Sequence, residues 1–163
     1  DAVNWFPRAA VGATVQGWLR RWDDYGRVTE ERGPHPDLAN GYRLLAGSTT
    51  EFHERDADEM ARWMGSTDVL GVTDGSNGSR IYAGVAPVHI PAYVAEELDP
   101  TGAGDIWGAS CLVRLAEGAG PLEAARFANA AASLSVELEG LSGVPTRSEI
   151  EDRIAFGAKG PLT

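Results

Sequence analysis

The chain has 163 residues, 43% of them hydrophobic and 23% charged, with a formal net charge of -10. That length suits one domain with a core of useful size. The acidity argues against general binding of nucleic acid or anionic membrane, since both require a cationic surface. A single cysteine, Cys111, excludes an intrachain disulfide. With no apolar run of membrane-spanning length and no signal-peptide pattern, these features predict a soluble cytoplasmic protein.

The first residues, Asp1-Ala2-Val3-Asn4-Trp5-Phe6, read like the interior of a longer polypeptide. Residues 9–14 form an apolar run suited to a buried strand. Residues 20–40 are rich in charge, Gly and Pro and read as a loop with a brief hairpin. Trp18 and Trp22, four apart, predict core packing rather than a base-stacking patch, given the acidic balance. Residues 42–46 form a second strand. A helix over residues 56–64 places Ala57, Met60, Ala61 and Met64 on one apolar face.

Residues 68–73 read as a strand that stops at Asp74-Gly75-Ser76-Asn77-Gly78, and residues 80–83 and 85–90 as a hairpin or meander. A helix is predicted from Asp105 to about Glu117, with Gly118 as its stop. Pro121 opens another, alanine-rich helix reaching Leu138. Thr146-Arg147-Ser148-Glu149 has the form of a capping box opening a last short helix. Strands interleaved with helices predict an α/β layered sheet.

The run Asp99-Pro100-Thr101-Gly102-Ala103-Gly104-Asp105 carries the chemistry. Glycines flanking a small residue let the backbone approach a bulky anion. The helix that follows offers unpaired N–H groups and the positive end of its dipole. Asp105 stands where that helix begins. Its ordinary role there is helix capping. Its catalytic role is to accept the proton of an attacking hydroxyl, while the Gly102, Ala103 and Gly104 amides stabilise charge on a transferring group. The side-chain-poor run before it favours the second role.

These residues resemble the late signature of ribokinase-like (PfkB-type) sugar kinases, Asp-x-Thr-Gly-Ala-Gly-Asp followed by a helix. The similarity extends from about Asp68 to Glu151, and less securely back to residues 11–18. The resemblance implies a three-layer α/β/α, Rossmann-like sheet and ATP-dependent phosphorylation of a sugar or sugar-like alcohol. On this resemblance the chain is the C-terminal, nucleotide-binding half, one domain over residues 1–163, with the sugar-binding half and lid absent. Relatives often pair through that lid, so a homodimer is implied for the full-length protein.

By the same similarity Thr73, Gly75 and Gly78 belong to a Thr-x-Gly-x-x-Gly turn along the nucleotide, though an ordinary strand-ending turn has the same composition. Asn129 matches a position beside adenine; a solvent-facing Asn on an alanine-rich helix is the equal alternative. Asp99 and Thr101, with carbonyls near Val136 and Glu139, resemble a loop that holds a monovalent cation, K+. Two loops meeting through ordinary hydrogen bonds is the competing reading.

The family's Asn-x-x-Glu, which organises Mg2+ through water, has its nearest counterpart in Ser48-Thr49-Thr50-Glu51, with Ser in place of Asn. Glu51 is the candidate, and Glu54 or a surface role stands close behind. His35, His53 and His89 show no metal-ligand spacing. Two other functions remain open: a non-catalytic nucleotide-binding module, and a nucleoside or vitamin kinase on the same scaffold.

Overall fold

The computed structural model describes residues 8–30, 41–52 and 57–157. Its central sheet has the order β1-β4-β5-β6-β7, built from β1 (Gly12–Thr14), β4 (Tyr42–Ser48), β5 (Thr67–Thr73), β6 (Ser79–Tyr82) and β7 (Val88–Ile90). β1, β4 and β5 run parallel, whereas β6 and β7 are added antiparallel. A separate hairpin pairs β2 (Arg20–Trp22) with β3 (Val28–Glu30). The predicted strands and the hairpin in the 20–40 segment are therefore present, although β7 is shorter than the 85–90 run and Val85 is fully exposed.

The sheet is covered on both faces because its two inner strands are apolar at consecutive positions. In register, Leu44 lies opposite Val69 and Leu45 opposite Leu70. Leu44, Ala46, Val69 and Ile81 turn to one face, against Trp107, Cys111 and Leu115 of α2 (Ala103–Ala116) and Ala124, Ala125 and Ala128 of α3 (Pro121–Ser135). Leu45, Leu70 and Val72 turn to the other, with Val15, Phe52 and Trp63 of α1 (Ala57–Gly65). This is the expected α/β/α layering. α4 (Arg147–Phe156) packs behind α3, where Ile150 joins Phe127, Ala130 and Ala131.

Local signals explain the helix ends. Pro121 occupies the first turn of α3. The Thr146 hydroxyl accepts the Glu149 N–H while the Glu149 carboxylate accepts the Thr146 N–H, which completes the capping box. Gly118, at φ 94°, ends the last turn after α2 in the left-handed region. α2 starts at Ala103, two residues before the predicted start, and α3 ends at Ser135 rather than at Leu138.

Two expectations need correction or fall outside view. Trp18 packs with Tyr42 and Trp63 as predicted, but Trp22 is 65% exposed on the hairpin. Among the described residues the hairpin's strands pair only with each other, apart from the central sheet, and the Trp22 indole is left open. His35, His53 and Glu54 lie outside the described residues. Among the described residues no helix is long and apolar enough to cross a membrane.

One close approach fixes the spacing between α2 and the sheet. A Cβ added at Gly71 would overlap the Trp107 indole. Gly71→Ala is expected to lower stability by about 1–3 kcal/mol through overpacking, read as a shift of the urea midpoint. On the same face, burial pushes the Cys111 thiol up to about 12. Since the thiolate is the reactive form, Cys111 should resist iodoacetamide in native buffer and alkylate readily in denaturant, as mass spectrometry would show.

Candidate active site

The carboxyl ends of β4 and β5 open onto one edge of the sheet, the usual place for ligands in open α/β folds. There β5 ends at Thr73 and the chain makes a tight turn through Gly75, at φ 50°, and Gly78, at φ 98°. The Asp74 N–H donates to Gly78 O at 2.8 Å, closing the turn. Gly78 has no room for a side chain, because a Cβ there would strike the Ile90 carbonyl and the Ala92 amide. Its glycine is required by both conformation and space.

Beside this turn lies a cleft of about 460 Å³. Thr73, Gly75, Gly78, Asn129, Ala103 and Gly104 all line it, so the structure brings together residues from three separate motifs. Trp107, Ala132, Ser133 and the 92–97 segment complete the walls. The small residues Ala132 and Ser133 fall three and four positions after Asn129, on one helical face, a spacing visible in the sequence. Nothing in the sequence, by contrast, pairs Trp107 with Asn129 across 22 positions.

Asn129 is neither solvent-facing nor free to read a base edge. It is 4% exposed. Its Oδ1 accepts from Ser79 Oγ at 2.9 Å and Trp107 Nε1 at 2.7 Å. Its Nδ2 donates to Ile90 O at 2.9 Å and Pro91 O at 3.0 Å. One side-chain amide thus satisfies a strand, a helix and the start of the cleft wall.

At the start of α2 the geometry suits an anion. Gly102 caps the helix in the left-handed region, at φ 81°. The Ala103 N–H turns back to Pro100 O at 3.2 Å, and the Ile106 N–H is bonded to Gly102 O at 3.0 Å. The N–H groups of Gly102, Gly104 and Asp105 have no acceptor among the described residues. A Cβ at Gly102 or Gly104 would meet no atom within 4 Å. The donors therefore lie beside open space.

Asp105 is exposed in the first turn of α2, and its carboxylate has no hydrogen bond or ion pair among the described residues. It does not cap the helix, which removes its ordinary role. Neither Asp105 nor Gly102 lines the cleft itself; both stand at the helix start, next to the lining residues Ala103 and Gly104.

Asp99 and Thr101 occupy the approach to this helix. Asp99 Oδ1 accepts the Thr101 N–H at 2.9 Å and Oδ2 accepts the Gly140 N–H at 3.0 Å. Hydrogen bonds from the Thr101 side chain, then from the Thr101 and Gly140 amides, hold the Asp99 carboxyl below the usual carboxylate range. Val136 O accepts both the Leu98 and Asp99 N–H groups. The two loops are joined directly, and both carboxylate oxygens are engaged.

Glu51 lies on the turn after β4. Thr49 links this turn to the end of β5, donating its N–H to Thr73 O at 2.8 Å and its hydroxyl to Asp74 Oδ1 at 3.0 Å. Glu51 Oε2 accepts from Ser48 N at 2.7 Å and from Ser48 Oγ, while Oε1 lies 4.0 Å from the Arg20 guanidinium. The Ser48 that stands where the family pattern has Asn therefore engages the glutamate directly. Among the described residues no three His, Cys, Asp or Glu side chains cluster as a metal site, and His89 instead meets Asn77 O at 2.7 Å.

The fold places the chain among ribokinase-type proteins. Ribokinase from Thermotoga maritima superimposes with a TM-score of 0.66 and 26% identity, over 76% of this chain and 46% of that one. Arabidopsis thaliana ribokinase, in a structure complexed with ribose and ATP, gives 0.64 and 27%, over 75% and 44%. In sequence, ribokinase from Bacillus subtilis (strain 168) is 47% identical over 87 residues, 53% of this chain and 30% of the relative. The pfkB family carbohydrate kinase model matches residues 41–147. The chain belongs to that family. It spans less than half the length of each of these relatives.

The Asn129 network makes a direct test of the site's architecture. Asn129→Ala would strand two buried donors and two carbonyls, and should cost about 2–4 kcal/mol. Chemical denaturation followed by tryptophan fluorescence and circular dichroism would record it.

Proposed function

We propose that this chain supplies the nucleotide and base side of an ATP-dependent kinase whose acceptor is a hydroxyl of a sugar or sugar-like alcohol. One observation carries the reading: three N–H groups and a carboxylate with no partner among the described residues stand together at the start of α2, beside a cleft lined by Ala103, Gly104, Trp107 and Ser133. The ATP complex of the Arabidopsis ribokinase supports ATP as the donor.

In this reading the nucleotide occupies the cleft against Thr73, Gly75, Gly78 and the α3 face bearing Ala132 and Ser133. Asn129 shapes that wall rather than contacting the base. The Gly102, Ala103 and Gly104 backbone lies against the phosphoryl group being transferred. The Gly102, Gly104 and Asp105 N–H groups and the helix dipole stabilise its charge without reorganisation. The Asp105 carboxylate receives the proton of the attacking hydroxyl, and catalysis otherwise rests on holding the two substrates in line.

Mg2+ would accompany ATP and neutralise phosphate charge; the family resemblance assigns its hydration shell to Glu51, whose carboxylate is held by Ser48 on the turn after β4. Asp99 already accepts the Thr101 and Gly140 N–H groups by direct hydrogen bonds, so K+ is assigned no step. Residues 1–163 form one domain in this proposal, and the acceptor's remaining contacts come from outside these residues.

In the full-length polypeptide, Asp105→Asn is expected to leave ATP affinity within a small factor of wild type by calorimetry. It should lower turnover by about 10²–10⁴-fold, the usual worth of a general base. ADP release measured against a panel of sugars, polyols and nucleosides would identify the acceptor. Near-wild-type turnover in the variant would remove Asp105 from the base role. ATP binding without turnover on any acceptor would identify a nucleotide-binding module instead.

A further inference from the structure

The 91–100 segment that walls one side of the cleft has neither helix nor strand to support it. Hydrogen bonds hold it at three places. At its start, the Asn129 amide donates to the Ile90 and Pro91 carbonyls. At its end, the Leu98 and Asp99 N–H groups share Val136 O, at 2.7 and 3.0 Å. Between these anchors, the hydrogen bond found among the described residues comes from Arg153 of α4, whose Nη1 donates to Val94 O at 3.0 Å.

Arg153 is an unusual residue to find there. It is 6% exposed, although arginine is rarely buried unless paired. Its partners explain the burial: Nη2 bonds Glu137 Oε2 at 2.8 Å, and Nη1 also approaches Ser133 Oγ at 3.4 Å. Val94 and Ser133 both line the cleft, whereas Arg153 does not. A planar guanidinium can reach a carbonyl, a hydroxyl and a carboxylate at once; an ammonium presents no such fork. Arg153 also lies beyond the 41–147 stretch matched by the family model.

We propose that Arg153 is a positioning residue for nucleotide recognition, pinning the Val94 main chain to α3 and so setting the width of the cleft. The proposal rests on the nucleotide reading of that cleft. The loop leading into α2 and Asp105 has its own anchors, through Val136 O and the Asp99–Gly140 bond. Loss of the Arg153 clamp therefore loosens the wall that meets the nucleotide and leaves the chemical step in place.

The test uses the full-length polypeptide with Arg153→Met, which keeps the stem's volume, and Arg153→Lys, which keeps the charge but not the fork. ATP affinity by calorimetry and KM for ATP are expected to weaken roughly tenfold in the Met variant. Turnover at saturating ATP and KM for the acceptor should stay within about twofold. The Lys variant should fall between. Hydrogen exchange should quicken at the 92–97 amides and stay unchanged at Leu98 and Asp99.

Unaltered ATP affinity in a folded Met variant would overturn the role. So would a fall in turnover with KM unchanged, which marks only a loss of folded enzyme. If the Met variant does not fold, the Lys variant carries the same readouts. Wild-type protein that fails to bind ATP would remove the nucleotide reading itself, and this role with it.

Discussion

The Asn129 side-chain amide is the interaction on which the rest of the site depends. Buried polar groups are tolerated only when satisfied, and a partly satisfied network costs more than an apolar one. Here all four hydrogen-bonding positions of the amide are used, by Ser79, Trp107, Ile90 and Pro91. These partners belong to β6, to α2, to the end of β7 and to the first residue of the cleft wall. Displacing Ser79 or Trp107 breaks a buried bond, and displacing Ile90 or Pro91 a part-buried one. That couples the wall's position to α2, whose N-terminal turn carries the open N–H groups.

Trp107 transmits this coupling to the sheet. Its indole lies over Gly71, which sits opposite Ala46 in the parallel register of β4 and β5. Two small residues side by side on the inner strands leave the space that the ring fills. The N-terminal turn of α2 is consequently held at a set height above the strand ends. A helix docked only through interchangeable aliphatic contacts would not fix the orientation of its first N–H groups so firmly.

The proposed function rests on groups that stand unpaired, among the described residues, against this saturated background. Asp105 and the N–H groups around it lack partners among the described residues, while the neighbouring Asp99, Glu51 and Asn129 are all engaged. The contrast separates two tasks. Engaged polar groups hold loops in place, and unengaged ones remain available to substrate. Glu51, bonded to both the backbone N–H and the hydroxyl of Ser48, belongs with the engaged groups.

Local chemistry in the sequence was enough for the layered α/β fold, for α4's capping box, and for the glycine-rich approach to α2. Each depends on residues within a few positions of one another, where propensity and hydrogen-bonding geometry act directly. The family signature at 99–105 likewise contains Ala103 and Gly104, which line the cleft, with Gly102 and Asp105 next to them at the helix start. What the sequence left open were matters of distance along the chain. Asn129 had two equal readings because its partners lie 22 to 50 positions away. Trp18 and Trp22 are the same residue four positions apart, yet among the described residues Trp18 packs with Tyr42 and Trp63 while Trp22 stays exposed. Arg153 looks like any surface charge until the fold carries Val94, 59 positions distant, to its guanidinium. Backbone conformation is decided by near neighbours; which polar groups are satisfied is decided by whatever the folded chain brings alongside.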